Sequence, residues 1–405
     1  MSTYWLTNVR LESGFEFEGG SVIGTQTELC HLLVENGVIS RIAPAAEAPE
    51  SGIEQLDAKG LLLLPPFKEM HIHIDKTYYS GPWKAVRPAT KGIFTRIEEE
   101  KELLPKLLPT AADRAARMLE LLLSHGSTHV RTHCNVDRAI GLKHVEMLQE
   151  VFASFEGRLT HEIVAFPQHG LLLSDAAPLI REALRQGAGL VGGVDPANVD
   201  GNVEKSLHTM MELAVEADAD IDLHLHDGGS LGIFTIKRLA ALTEEAGWQG
   251  RVTISHAFAL GDASSPQAEL AERLASLGIG ITTSVPMGPV IPPVPLLRDK
   301  GVSVSLGTDS INDHWSPFGN GDNLEKAGRL AERFGWSGER QLAGALAHIT
   351  GGVTPLDAAG SRVWPAVGAD ASGVLVEAGC SAEAVARRAK RRAVLHRGSV
   401  VSGAL

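Results

Sequence analysis

The feature that most restricts how this chain can fold is a regular alternation of strand-like and helix-like segments through its middle. Short apolar runs rich in Val, Ile and Thr fall at 128–132, 160–166, 189–194, 220–226, 252–257, 280–283 and 302–308, with one more strand around His71. Between and after them, apolar residues recur every third or fourth position at 111–125, 142–155, 177–186, 203–217, 233–246, 267–277, 295–299 and 323–334. Parallel strands need a crossover long enough to hold a helix, so this alternation predicts an α/β protein with a parallel sheet. Eight units predict a closed (β/α)8 TIM barrel whose chemistry gathers where strands end and loops begin.

The chain ends read differently. Short β-like pieces at 5–11, 31–38 and 42–44 are broken by Gly, Glu and Asn turns, and 373–377 and 393–401 flank a helix near 382–392. Both termini are expected to build one small β-sandwich, giving a β domain of 1–64 plus 357–405 and a catalytic barrel of 65–356. At 405 residues the chain is long enough for that architecture. With 37 basic against 49 acidic residues the net charge is −12, which argues against a nucleic acid or an acidic membrane as partner. The basic run at 387–392 reads as a solvated helix end. Cys30, Cys134 and Cys380 lie far apart with no paired spacing, so reduced thiols and a cytoplasmic location are expected. No apolar stretch approaches the roughly 18 residues that a membrane crossing needs. A homo-oligomer is the expected assembly.

Chemistry is signalled first by His71-Ile72-His73-Ile74-Asp75-Lys76, directly after an apolar run ending in Pro65-Pro66. Alternation in a strand sends both imidazoles to one face, about 6.6 Å apart, close enough to lean onto one ion. A second alternating pair, His224 and His226, ends the fifth strand; His256 ends the sixth and Asp309 the eighth. Any one of these could be a hydrogen-bonded core residue, but several coincident strand ends are hard to ascribe to chance. Imidazoles with one carboxylate suit a borderline divalent ion such as zinc or iron, which lowers the pKa of a bound water to about 7. Asp309 can serve both as ligand and as proton acceptor, and His256 can orient the attacking water. Phe166 and Trp315 could close flat faces over an aromatic ring. The stretch 78–95, with Trp83, Lys84, Arg87 and Lys91, is too long for a simple connection and is a lid candidate.

Taken together, these residues resemble the amidohydrolase superfamily, specifically its cytosine deaminase-like branch. The likeness spans roughly residues 60–350 and includes Val130-Arg131-Thr132-His133, Ile163-Val164-Ala165-Phe166-Pro167-Gln168 and Trp315-Ser316-Pro317-Phe318-Gly319. Gly192-Gly193-Val194-Asp195-Pro196-Ala197, Asp222-Leu223-His224-Leu225-His226-Asp227 and Pro317-Phe318-Gly319-Asn320-Gly321-Asp322 are most similar to the N-alkylammelide aminohydrolases that act on s-triazines. The resemblance implies one metal ion, zinc or iron with manganese possible, held by His71, His73, His224 and Asp309, with His256 beside the reactive water. Binuclear relatives use a lysine at the end of the fourth strand, where this chain has none. Gln168 matches the amide that reads the substrate ring in cytosine deaminase. Lys76 and Asp195 resemble a pair from the triazine branch, which leaves two readings open: a catalytic lysine with a substrate-binding aspartate, or a structural salt bridge at the barrel mouth. Asp227 stands where cytosine deaminase has its proton-shuttling glutamate, one methylene shorter, which makes His226 a competing acid. The implied activity is hydrolytic deamination of a small nitrogen heterocycle, of the cytosine type first, with an N-alkylammelide or a pterin as alternatives. Two other classes, a cyclic amide hydrolase and a catalytically silent scaffold, are set against it by the missing lysine and by the filled ligand positions.

Overall fold

The computed structural model describes residues 3–264, 266–288 and 290–405. Eight parallel strands form one sheet in sequence order: Phe67–Ile72, Ser127–Asn135, Thr160–Phe166, Leu190–Val194, Asp220–His224, Val252–Ser255, Gly280–Thr283 and Val304–Leu306. They are called here the first to eighth barrel strands. The sheet closes where the eighth strand returns to the first: the Asp309 backbone N–H donates to the His71 carbonyl at 2.7 Å, and Ile72 bridges Asp309 in parallel. Closure depends on Gly307, since a Cβ there would lie 2.4 Å from the Cβ of His71. Helices cover the outside and bury one stripe each against the strands, as Leu207, Met210, Met211 and Ala214 do on Val203–Ala217.

The termini form a second sheet of eight strands. Its order runs Ser399–Gly403, Arg391–His396, Gly373–Val376, Leu62–Leu64, Thr3–Glu18, Ser21–Glu35 and Val38–Pro44, with Glu54–Asp57 paired to Thr3–Glu18 off that path. The expected sandwich is thus made from one continuous sheet that curls over its own core. Ile39 and Leu395, from strands near opposite ends of the order, share one apolar cluster, and the Tyr4 hydroxyl donates to Gly398 O at 2.8 Å. The leucine run is the hinge of the architecture. Leu62 and Leu64 pack into the barrel core while Leu63 packs into the β core, so every side chain of that strand is buried. Two residues later the chain enters the first barrel strand and carries the histidines to its carboxyl end.

Two helices on the barrel were not expected, the short Glu339–Ala345 and the longer Ile93–Leu107. Ile93–Leu107 occupies the end of the lid candidate and the residues after it, burying Arg96, Ile97, Glu100, Leu104 and Leu107. The segment before it, from Thr77 to Gly92, is irregular, and Trp83 is 70% exposed. Among the described residues no helix is long and apolar enough to cross a membrane.

Candidate active site

At the carboxyl mouth of the barrel the expected ligands converge. His71 is 1% exposed, His73 4% and His224 3%. His73 Nε2 and His224 Nε2 are 3.3 Å apart, and Asp309 Oδ1 lies 3.6 Å from both His71 Nε2 and His73 Nε2. Two ligand atoms each about 2.1 Å from one ion are roughly 3.4 Å apart at the tetrahedral angle. The spacing therefore matches a shared cation better than a set of hydrogen bonds. Asp309 reaches this position with φ of 63°, a left-handed turn that bends its side chain inward as the strand ends.

The tautomer of His71 follows from its neighbours. Its Nδ1 lies 2.9 Å from Ser255 Oγ, and Ser255 Oγ lies 2.7 Å from Asp222 Oδ1. Asp222 is buried against His133 and Arg131, and its carboxyl is held well below the usual range: burial opposes ionisation, but His133, Arg131 and His71 outweigh it. An ionised carboxylate only accepts, so the one hydroxyl proton of Ser255 goes to Asp222 and Ser255 must accept from His71 Nδ1–H. His71 Nε2 is then left as a lone pair aimed at the site, where it is buried without a hydrogen-bond partner among the described residues. Burial holds His73, His224 and His256 neutral, far below the ordinary imidazole range. Neutral His73 and His224 with nitrogens 3.3 Å apart, beside the His71 lone pair and an Asp309 carboxyl held well below the usual range, fit a divalent ion.

His133, on the second strand, joins this group. It is fully buried, with ring centroids 4.2 Å from His71 and 4.3 Å from His224, and burial together with His71 lowers it to about 4. His71, His73, His133 and His224 each offer a ligand atom within 4.8 Å of the others, as do His71, His256 and Asp309. The alternation Arg131/His133 along one strand face was the signal for it in the sequence.

A cavity of about 210 Å³ lies over the ligands, lined by His73, Lys76, Gln168, His224, His226, His256, Asp309, Ser310, Trp315 and Ser316. Larger cavities exist elsewhere, of about 410 Å³ at the opposite end of the eighth strand and 670 Å³ on the rim, but neither touches the ligand cluster. The central cavity has room for one small ring with its substituents.

The other expected residues separate into those that face the cavity and those that do not. His226 is 38% exposed on its side chain, stacks on His256 at 4.3 Å and donates Nδ1–H to Asp195 Oδ2 at 2.9 Å. Burial pulls its pKa down, but the Asp195 charge and hydrogen bond dominate and raise it above the ordinary value. Asp195 does not line the cavity. It accepts from the backbone N–H groups of His226 at 2.6 Å and Asp227 at 3.0 Å, so its carboxylate is engaged with the His226 segment. Asp227, expected as a possible shuttle, also points away: its carboxylate takes Asn198 Nδ2 at 2.6 Å and Ala197 N at 3.2 Å. Phe166, expected against a substrate ring, instead stacks on His224 at 4.1 Å from behind and is fully buried.

The expected pairing of Lys76 with Asp195 is replaced by one with Glu100. The Lys76 ammonium donates to Glu100 Oε1 at 3.1 Å, Asn135 Oδ1 at 3.2 Å and Gln168 Oε1 at 2.9 Å. Glu100 is fully buried and also accepts from Asn135 Nδ2, His169 Nε2, His314 Nε2 and Trp315 Nε1, at 2.7 to 3.0 Å. Burial opposes its ionisation, but Lys76 and these donors hold its carboxyl well below the usual range. Saturated in this way, Glu100 cannot reach a substrate; it fixes the cavity-lining Lys76 and Trp315.

A closed parallel barrel with imidazoles and an aspartate gathered at its carboxyl mouth defines a metal-dependent hydrolase scaffold. The chain belongs to the amidohydrolase family, whose model matches residues 54–191 and 160–404. It is 44% identical over 405 residues to the uncharacterized protein YahJ of Escherichia coli K12, covering 99% of this chain and 88% of that one. It is 37% identical over 282 residues to N-isopropylammelide isopropyl amidohydrolase of Pseudomonas sp. strain ADP, covering 68% of this chain and 69% of the relative. Among solved structures, N-isopropylammelide isopropylaminohydrolase of Burkholderia multivorans superposes over the whole of both chains with a TM-score of 0.87 at 32% identity. The 5-methylcytosine deaminase of Klebsiella pneumoniae liganded with 5-fluorocytosine matches with a TM-score of 0.79 at 26% identity, over 99% of this chain and 98% of that one.

Proposed function

We propose that this protein is a metal-dependent hydrolase that removes an amino or alkylamino group from a carbon of a small nitrogen heterocycle. The observation that carries this reading is the set of ligand atoms 3.3 to 3.6 Å apart at the floor of a ring-sized cavity walled by His226, His256 and Gln168. The residues fit one divalent ion, zinc or iron with manganese also compatible, held by His71, His73, His224 and Asp309. Such an ion supplies Lewis acidity and makes a water nucleophilic near neutral pH. In this reading residues 65–356 are the catalytic unit and 1–64 with 357–405 the β unit.

The chain's own groups then divide the work. Asp309 Oδ2, whose one hydrogen-bond contact among the described residues is a long one of 3.5 Å from Ser284 Oγ, takes the proton of the attacking water. His256, held neutral by burial, accepts a hydrogen bond from that water and aligns it. Water oxygen adds to the ring carbon while the C=N pair moves to the ring nitrogen, which takes the proton collected by Asp309, giving a tetrahedral carbon that bears both hydroxyl and amine. His226, whose pKa the Asp195 charge raises, donates Nε2–H to the amine, the carbon–nitrogen bond breaks, ammonia or an alkylamine leaves as the ring carbonyl forms, and the hydroxyl proton returns to His226. Asp227 takes no part, because Asn198 and the Ala197 backbone occupy it.

Both classes of relative support an amino-bearing ring as substrate: the names of the solved neighbours specify an alkylamino-triazine and a methylated cytosine. The experiment is an amine-release screen of the zinc-loaded protein over aminopyrimidines, aminotriazines and pterins. Release from at least one class is expected; release from none, with hydrolysis of a cyclic amide instead, overturns the reading.

A further inference from the structure

The irregular segment between the first barrel strand and the helix Ile93–Leu107 takes no part in the chemistry above, and its charge is unlike that of the rest of the chain. In a protein of net charge −12, residues 77–97 include no Asp or Glu, while Lys84, Arg87 and Lys91 stand exposed. These three form no ion pair among the described residues, whereas Arg158, Arg181 and Arg238, elsewhere on the surface, each meet a carboxylate at 2.6 to 2.8 Å. Two of the three are placed by contacts. Lys84 Nζ sits over the Tyr78 ring, 4.7 Å from its centroid. Buried Arg96 donates to the Arg87 carbonyl at 2.6 Å and to Glu99 at 2.7 Å, so the helix holds the backbone that presents Arg87. Burial, with Glu99 and Asp313 adding to it, pushes the Tyr78 hydroxyl up to about 12 against the charges of Arg87 and Arg96, which places Arg87 near the same side chain. Tyr78 in turn belongs to the barrel mouth. Thr77 Oγ1 donates to the Ile311 carbonyl at 2.8 Å, Tyr78 N–H donates to the Asn312 carbonyl at 2.6 Å, and the Tyr78 ring lies 6.5 Å from His314, the neighbour of cavity-lining Trp315. The two cations therefore stand where the loops after the first and eighth strands meet. His226, which meets the departing amine, follows the fifth strand, across the barrel.

The geometry points to a substrate that carries an acidic group, a carboxylate or a phosphate, on an arm across the ring from the departing amine, with Lys84 and Arg87 receiving that group at the mouth. The inference rests on the heterocycle reading above and narrows it. A cavity of about 210 Å³ is filled by the ring itself, so such an arm ends outside it, where these side chains are. Long cationic side chains in solvent each contribute modestly, a few-fold in affinity per ion pair, and salt screens them. Lys91 stands apart from the pair: its charge acts on Glu98 in the helix, whose carboxyl Lys101 chiefly lowers and Lys91 helps to lower.

The test uses matched pairs of aminopyrimidines and aminotriazines that bear, across the ring from the amine, either a carboxymethyl group or its neutral carbamoylmethyl counterpart. Each is mixed rapidly with the zinc-loaded protein and followed by tryptophan fluorescence before turnover, at 10 mM and at 1 M salt, between which the Debye length falls from about 30 Å to about 3 Å. For at least one ring the acid is expected to bind about fivefold more tightly than the amide at low salt, and about equally at high salt. Lys84→Met and Arg87→Met should each remove at least about half of that preference and leave amide binding unchanged. Lys91→Met, which loses the same charge from the same segment, should keep it. Equal binding of acid and amide for every ring, no binding by either member of any pair, or a preference undiminished at 1 M salt overturns the inference. So does a loss in Lys84→Met and Arg87→Met no greater than in Lys91→Met. Amine release is measured on the same pairs: turnover of the amides without an acid preference leaves the deaminase reading standing and ends this one, and an acid preference without amine release does the reverse.

Discussion

Replacing Ser255 with alanine removes the hydroxyl that takes the His71 Nδ1 proton at 2.9 Å and passes its own to Asp222 at 2.7 Å. Without it His71 keeps its place at the end of the first strand, but nothing fixes which ring nitrogen carries the proton. A fraction of molecules will then turn an N–H toward the ion. Partners of this kind typically contribute 10- to 100-fold in metal affinity, about 1.4 to 2.7 kcal/mol. Ser255→Ala is therefore expected to weaken zinc binding by that factor, measured by competition with a chromophoric chelator, with little change in fold. Asp222→Asn should be worse, for a reason visible in the structure. Arg131 Nη1 donates to Asp222 Oδ2 at 3.1 Å, and a guanidinium has donors only, so it will claim the asparagine oxygen. The amide N–H₂ then faces Ser255, whose hydroxyl is forced to donate to His71 Nδ1, and the proton of His71 moves to Nε2 in every molecule. An affinity within about twofold of the intact protein for both variants would refute the tautomer argument.

Three further outcomes follow from the wall of the cavity. His226→Asn should lose most turnover while Asp227→Asn retains it, because only the former side chain reaches the cavity; steady-state amine release on both variants decides this. His226 acts when protonated and its pKa is raised, so kcat should fall as pH rises through that value. Asp195→Asn removes the carboxylate that raises it, burial then prevails, and the alkaline limb of the pH–kcat profile should move to lower pH. Glu100→Gln leaves Lys76 buried without its counter-charge and should cost roughly 3–5 kcal/mol in denaturant unfolding, with a rise in KM as Lys76 and Trp315 lose their anchor.

The parts of this molecule that obey simple periodicities were readable from the chain. The strands Thr160–Phe166 and Gly280–Thr283 and the helix Val203–Ala217 fall where alternation and apolar spacing place them, since each presents a clean apolar face to the barrel. Strand ends were overrun at Asp220–His224 and Val304–Leu306, where residues past the last ladder bond keep an apolar-polar rhythm while turning into the site. The convergence of His71, His73, His224 and Asp309 was legible because a metal-site pattern restricts residue type as well as position. Helix Ile93–Leu107 was hidden because its inward stripe includes Arg96 and Glu100, which read as solvated charges until the third dimension supplies partners. That is also why Lys76 was matched with Asp195. A buried lysine does need a carboxylate, but local spacing cannot tell which of several distant ones will face it. Phe166, Asp195 and Asp227 show the converse limit: the right residues at the right strand ends, yet one step behind the cavity wall.

The central claim is that three imidazoles and one carboxylate from distant strands hold a single ion. X-ray absorption on the protein loaded with one equivalent of zinc tests it most directly. The expected first shell is nitrogen and oxygen only, at about 2.0–2.2 Å, with multiple-scattering features of several imidazoles that diminish in His71→Ala, His73→Ala and His224→Ala alike. A shell of water oxygens without imidazole, a sulfur ligand, or a spectrum indifferent to those three substitutions would contradict it.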